Sequence, residues 1–170
     1  MTAQNPSPPE FYNVKEHHKN LLGHISIGVK SYDVAKTFWA AIMAPLGIEV
    51  TYDDPKDRFL GLGHAADGSE IINIFERGAA AALPGPGVHW CFNAPSRRCV
   101  REWWQAGVGS GGRDNGGPGV RGEETGTGEV LGNYYAAYLI DPDGYRLEAV
   151  YQQKDGAERD RLEEGEGEGD

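Results

Sequence analysis

Apolar residues recur with helical spacing in two parts of the chain, and each part follows a stretch in which small and large residues alternate. In the first part, the alternation over residues 24–29 predicts a half-buried strand. The helix that follows is expected to start at Ser31 or Asp33 as N-cap, and to end at Pro45 and Gly47. Its apolar face is predicted to consist of Val34, Ala35, Phe38, Trp39, Ile42 and Met43.

Three short strands are predicted after this helix. They cover residues 48–52, 58–63 and 70–75, where β-branched and aromatic residues are frequent. Asp-Pro at 54–55 and Asp-Gly at 67–68 are turn signals between them. The first copy therefore reads strand, helix and three strands.

The second copy starts with a strand over residues 87–93. A helix with Ser96 as its N-cap follows, and Gly107 is expected to end it. The predicted apolar face of this helix is Cys99, Val100, Trp103 and Trp104. The order of the elements thus repeats that of the first copy, as in an internal repeat.

A glycine-rich segment, residues 109–132, follows the second helix. It is expected to be a surface loop or a lid over a cavity. Two strands then complete the copy, at 134–140 and 145–152, joined by an Asp-Pro-Asp-Gly turn at 141–144. The fold class is therefore α+β.

The ends of the chain lack periodic apolar positions. Residues 1–20 are expected to be an N-terminal extension, and residues 154–170 an acidic disordered tail. One domain, residues 21–153, is predicted between them, with modules at 21–78 and 87–153.

The charge and the cysteine content exclude several classes of protein. The formal net charge is −10, which argues against nucleic acid and anionic membranes as partners. Neither a signal peptide nor an apolar run long enough to span a membrane is recognisable. Two cysteines without a CxxC pattern do not make a disulfide framework, so a cytoplasmic location is expected.

Two histidines stand at matching positions of the repeat. His24 and His89 each lie near the start of the first strand of a copy. Glu148 lies on the last strand of the second copy, and Asn73 is its counterpart in the first. The spacing is 49 residues from His24 to Asn73 and 59 from His89 to Glu148, and the longer glycine-rich segment accounts for the difference.

These residue types suit a divalent metal ion. Two imidazoles and one carboxylate are a sensible ligand set for Fe, Mn, Zn, Ni or Co, and three protein ligands leave open positions for water and substrate. Asn73 is expected either to add a weak neutral oxygen as a fourth ligand or to lie beyond the ligands. The competing explanation for Glu148, an acid in an apolar strand, is an ion pair with Arg146.

At this point the sequence resembles the vicinal oxygen chelate superfamily, which includes glyoxalases, bleomycin-resistance proteins and extradiol dioxygenases. The runs GHISIGVKSYDVAKTFWAAIMAPLGIEV and YYAAYLIDPDGYRLEAVY carry the resemblance, which covers about residues 21 to 153. It implies two βαβββ modules that form a curled mixed sheet, or open barrel, around a cavity. His24, His89 and Glu148 fall on the family's metal-ligand positions, whereas glyoxalase I proteins usually place Glu or Gln where this chain has Asn73.

The resemblance leaves three functions open. The first is a glyoxalase-like lyase or isomerase that acts on a small oxygenated molecule, with Glu148 as a catalytic group. The second is an extradiol Fe(II) dioxygenase, because such enzymes place a tyrosine ten residues before the ligand Glu, as Tyr138 is here. Tyr138 is equally compatible with a core position, and residues 109–133 lack the acid–base histidine of those enzymes. The third is a metal-free binding or resistance protein, and a homodimer is compatible with all three.

Overall fold

A computed structural model describes residues 22–66, 68–121 and 134–152 of the chain. The predicted N-terminal extension and the predicted acidic tail lie outside the described residues. Asp67 of the predicted Asp-Gly turn also lies outside them.

The described chain contains two helices and eight strands. In the first module α1 spans Tyr32–Met43, and in the second module α2 spans Arg97–Gly109. Short 3-10 segments cover Ala44–Leu46 and Gly78–Ala80. The strands are β1 Ile25–Val29, β2 Glu49–Asp54, β3 Phe59–His64, β4 Ser69–Glu76, β5 Trp90–Asn93, β6 Arg113–Val120, β7 Tyr134–Ile140 and β8 Arg146–Gln152.

Each module forms its own mixed four-stranded sheet with the same topology. The strand orders are β1-β4-β3-β2 and β5-β8-β7-β6. The first and last strands of each module pair in parallel, and the remaining pairs are antiparallel. The predicted pair of βαβββ modules is therefore confirmed, and the two sheets are not closed into a barrel.

The glycine-rich segment contains a strand where none was predicted. Residues 113–120 form β6, which pairs with β7 through a register that shifts on both sides of Gly116. Gly116 has a φ of 143°, a conformation that favours glycine. The prediction of a surface loop or lid is thus wrong for residues 113–120, while residues 122–133 lie outside the described part of the chain.

Two details of the predicted helices are also wrong. Val34, predicted to be buried, is 47% exposed. Tyr32, which was not predicted, belongs to the buried face instead. Gly107 does not end α2, because the helix continues to Gly109 and caps at Ser110. Ser31 and Ser96 are the N-caps, each accepting a hydrogen bond from the backbone N–H three residues later.

One hydrophobic core runs through both modules. The two helices pack against each other, and each covers the sheet of its own module. Ile72 and Ile74 of β4 and Leu147 and Ala149 of β8 belong to this core. Because side chains alternate along a strand, Asn73 and Glu148 lie on the faces that the helices do not cover.

Candidate metal centre

The strand registers confirm that Asn73 and Glu148 occupy equivalent positions. Asn73 pairs with Ser26, two residues after His24. Glu148 pairs with Cys91, two residues after His89. Each module therefore places a histidine and an oxygen-bearing side chain at the same two points of its sheet.

In the second module the two side chains are in contact. His89 Nε2 lies 3.0 Å from Glu148 Oε2. The Glu148 side chain is 3% exposed, whereas that of His89 is 50% exposed. The carboxylate is thus buried beneath an imidazole that is open to solvent on its other side.

Tyr134 makes the second contact to this carboxylate, although it is not among the residues predicted for the site. Its hydroxyl donates a hydrogen bond to Glu148 Oε1 at 2.6 Å. Cys91 Sγ lies 3.9 Å from the same hydroxyl. The only signal in the sequence was that Tyr134 shares a strand face with Tyr138, which says nothing about the reach of its ring.

Tyr138 lies directly across from Glu148 in the β7–β8 ladder. It is half-buried and is not a member of the hydrophobic core, and its role as a site residue stays a prediction. The Arg121 guanidinium lies 5.4 Å from the centre of its ring. Arg146, the competing partner of Glu148, is exposed and forms no ion pair with it in the described structure.

Burial and the nearby carboxylate raise the pKa values of three groups around Glu148. Burial, with the Glu148 charge adding to it, raises the pKa of the Cys91 thiol to about 11. Burial and the hydrogen bond to Glu148 raise the pKa of Tyr134 well above its usual range. Burial and the Glu148 charge also raise the pKa of Tyr138. All three groups are therefore protonated at neutral pH.

The first module offers a less complete version of the same arrangement. His24 is exposed, at the residue before β1. Asn73 Oδ1 is buried and has no hydrogen-bond partner within the described structure. A buried amide oxygen of this kind is costly unless a donor or a cation reaches it.

A cavity of about 510 Å³ lies between the modules, and both histidines border it. Its apolar lining includes Met43, Trp90 and Phe92. His64, at the end of β3, is a third histidine at its edge. Glu148 is not among the described residues that line it.

His89 and Glu148 are the two predicted ligands that the structure brings into contact. Two donors on one ion, with bonds of about 2.1 Å and roughly 90° to 109° between them, are about 3.0 to 3.4 Å apart. The 3.0 Å separation of His89 Nε2 and Glu148 Oε2 matches this distance. Across residues 22–66, 68–121 and 134–152, no three His, Cys, Asp or Glu side chains are grouped so that they could hold an ion. The set His24, His89 and Glu148 therefore stays a prediction.

The described helices include none that is long and apolar enough to cross a membrane.

Solved structures with the same fold come from bacteria and from a plant. A glyoxalase/bleomycin resistance protein from Albidiferax ferrireducens T118 is 27% identical, with a TM-score of 0.63 over 78% of this chain and 100% of that chain. A glyoxalase/bleomycin resistance protein/dioxygenase family enzyme from Burkholderia phytofirmans PsJN is 15% identical, with a TM-score of 0.53 over 77% and 98% of the two chains. A glyoxalase I variant from Zea mays is 17% identical, with a TM-score of 0.53 over 75% of this chain and 45% of that chain.

No family model and no curated protein matches the sequence. The structural matches nevertheless share the two-module architecture described above. This chain therefore has the fold of the glyoxalase/bleomycin resistance protein/dioxygenase family, and the resemblance to the vicinal oxygen chelate superfamily is confirmed.

Proposed function

We propose that this protein is a metal-dependent enzyme of the glyoxalase-like type, a lyase or isomerase acting on a small oxygenated organic molecule. The observation that carries the proposal is the contact between His89 and the buried Glu148 on the face of the second sheet that no helix covers. A buried carboxylate needs a compensating partner. An imidazole at 3.0 Å and a divalent ion between the two groups would provide one.

His24, His89 and Glu148 would hold the ion. When bound, it would act as a Lewis acid that polarises the oxygens of the substrate. The chain's own residues have distinct tasks. Tyr134 holds one oxygen of Glu148 by a hydrogen bond, and the proposed catalytic task of Glu148 is to take up a proton from the substrate.

We further propose that the third ligand comes from a second copy of the chain, so that the active unit is a homodimer. His24 and His89 of one chain border the same cavity, but the described residues of a single copy hold no group of three ligands. The Asn73 face of the first sheet also carries a row of aromatic residues, Tyr52, Phe59 and Phe75, with ring centres 5.1 and 4.6 Å apart. Tyr52 is 46% exposed, so this face has apolar surface for a partner to cover.

Metal analysis of protein purified without an affinity tag tests the first part of the proposal. We expect about one Mn, Fe, Co, Ni or Zn ion per chain after equilibration, and a loss of at least tenfold in affinity in His89→Ala and Glu148→Ala. His64→Ala is the matched control, because His64 is an exposed histidine at the edge of the same cavity and belongs to neither half-site. A wild-type protein without stoichiometric metal would exclude this function and favour the metal-free binding protein.

Mixing two defective variants tests the shared site. His24→Ala and His89→Ala are each expected to lose metal. When they are co-expressed in equal amounts, half of the dimers are mixed, and each mixed dimer contains one intact site. Metal content should then recover to about a quarter of the sites. If each chain builds its own site, no recovery occurs and the homodimer proposal fails.

The position of Tyr138 favours a second candidate, ring cleavage by an extradiol Fe(II) dioxygenase. Its ring lies across the ladder from Glu148, on the same open face. Oxygen consumption by the Fe(II)-loaded protein with catechols separates the two candidates. A rate that Tyr138→Phe abolishes would support the dioxygenase, and the absence of any oxygen uptake would leave the lyase or isomerase.

A further inference from the structure

The two oxygens of Glu148 have different neighbours. Tyr134 donates to Oε1 at 2.6 Å, and His89 lies 3.0 Å from Oε2. With 3% of the side chain exposed, solvent has almost no access to either oxygen. The carboxylate plane is therefore fixed by two protein groups on opposite sides.

Tyr134 reaches Glu148 along its strand rather than across the ladder. Its backbone pairs with Gln152, four residues beyond Glu148 in β8. Ala136, the next residue of β7 on the same face, is fully buried. The Tyr134 hydroxyl therefore meets Glu148 from a residue that lies four positions along the strand from Tyr138, the ladder partner of Glu148.

The hydroxyl of Tyr134 is held between two strands. Cys91 Sγ of β5 is 3.9 Å from it on one side, and Glu148 of β8 is on the other. Cys91 and Glu148 are direct partners in the parallel ladder. The phenol hydroxyl thus contacts both members of the pair, and its 2.6 Å hydrogen bond is the short contact of Oε1.

The chemistry of the donor matters as much as its position. A lysine or arginine at this place would form an ion pair and neutralise the carboxylate. A phenol hydroxyl satisfies Oε1 with one strong hydrogen bond to a charged acceptor, yet leaves the negative charge in place. Glu148 therefore remains an anionic ligand whose free direction is that of Oε2, toward His89.

We infer that Tyr134 is a positioning residue that limits Glu148 to binding a metal ion through Oε2 alone. The inference rests on the proposed function, since it concerns the same ion. One carboxylate oxygen in place of two leaves an additional coordination position open for substrate. Hydrogen-bond partners of metal ligands typically contribute 10- to 100-fold to metal affinity.

Tyr134→Phe tests this inference with Co(II) and Mn(II) as probes. We expect the affinity for Co(II) to fall by about tenfold or more, because Oε1 loses its donor and the carboxylate can rotate. At saturating Co(II), the visible absorption of the variant should weaken and shift, since the freed Oε1 joins the ion and raises its coordination number. A merely structural role would lower thermal stability without changing the spectrum of the loaded protein.

Tyr135→Phe is the matched control. Tyr135 is the next residue of β7, so its ring lies on the opposite face, 5.4 Å from the Arg97 guanidinium. Its loss of one hydroxyl should leave both the affinity and the spectrum at wild-type values. Equal affinities and spectra for Tyr134→Phe and the wild type would overturn the inference and leave the proposed function intact. A wild-type protein that binds neither ion would overturn the proposed function, and the inference with it.

Discussion

Asp141 holds the turn before β8 with one carboxylate oxygen and buries the other. Its Oδ1 accepts hydrogen bonds from the backbone N–H groups of Asp143, Gly144 and Tyr145 at 3.0, 2.7 and 2.7 Å. Oδ2 is buried without a partner in the described structure. Burial raises the pKa of Asp141 to about 6, although the three hydrogen bonds act in the opposite direction.

This pKa makes the stability of the fold depend on pH. An aspartate in the unfolded chain titrates near pH 3.9, so the folded state binds the proton more tightly. This tighter proton binding stabilises the fold fully below about pH 4, and the stabilisation is lost as the pH rises through about 6. We expect Asp141→Asn, which keeps an acceptor oxygen but does not titrate, to gain about 2 to 3 kcal/mol relative to the wild type between about pH 4 and pH 7.

Urea unfolding of both proteins across this range gives the difference directly. Asp33→Asn is the control, because Asp33 is exposed and Arg58 lowers its pKa. Its difference from the wild type should therefore stay constant above about pH 4. A constant difference for Asp141→Asn as well would show that Asp141 is charged in the folded protein over the whole range.

The internal repeat, together with the residue types, predicted two residues of the candidate site that are in contact. His89 and Glu148 stand out because the repeat aligns them with His24 and Asn73, and the registers confirm that equivalence. Tyr134 could not be found in this way, since its hydroxyl contacts Glu148 although its backbone pairs with Gln152, four residues away. Pairing rules indicate which residues are opposite each other, but not how far a long side chain extends.

At the scale of elements, a glycine inside α2 sets how closely the two helices approach. A Cβ on Gly107 would collide with Leu139 of β7 and lie 3.2 Å from Ile42 of α1. The helix nevertheless continues past it to Gly109, where a Cβ would meet nothing within 4 Å. Gly107 therefore serves packing, and Gly109 does not.

Gly107→Ala and Gly109→Ala should change stability in opposite directions. Alanine favours a helix over glycine by up to about 1 kcal/mol, and this gain applies to both positions. At Gly107, overpacking costs about 1 to 3 kcal/mol, so after the helix gain we expect a net loss of up to about 2 kcal/mol in the free energy of unfolding. Denaturant titrations of the two variants measure this contrast. A Gly107→Ala protein that is as stable as Gly109→Ala would show that the helices can move apart without cost.

The periodic elements were predicted well because burial on one face leaves a clear signal. Both helices start at the serines identified as N-caps, and β7 has the predicted bounds. β6 was missed since residues 113–120 carry neither alternation nor β-branched residues before Val120. Its strand conformation comes from pairing with β7, which is a tertiary effect rather than a local propensity.

At the scale of the whole molecule, the turn before β8 joins the two modules. Lys30 N–H donates to Asp143 Oδ1 at 2.9 Å, and the Tyr145 hydroxyl donates to Gly28 O at 2.8 Å. Trp39 of α1 also packs against Trp90 and Phe92 of β5, with ring centres 6.4 Å away in both cases. The repeat predicted two modules that need each other, but which residues join them follows only from how the modules dock.

Tyr145→Phe removes one of these links and keeps the rest. The ring still stacks on Trp90, 4.9 Å away, so the apolar contact is preserved. The lost hydrogen bond leaves the Gly28 carbonyl without its inter-module donor, which costs about 1 to 2 kcal/mol. We expect a lower free energy of unfolding, with a single transition in both tryptophan fluorescence and circular dichroism, because one core spans the modules.

Tyr151→Phe controls for the loss of a hydroxyl from β8. Within the described structure no hydrogen bond of the Tyr151 hydroxyl is found, so its removal should change stability by less than about 0.5 kcal/mol. If both variants unfold like the wild type, the Tyr145 link contributes nothing and packing alone joins the modules. If Tyr145→Phe instead splits the unfolding into two transitions, the hydrogen bond couples two modules that are otherwise separately stable.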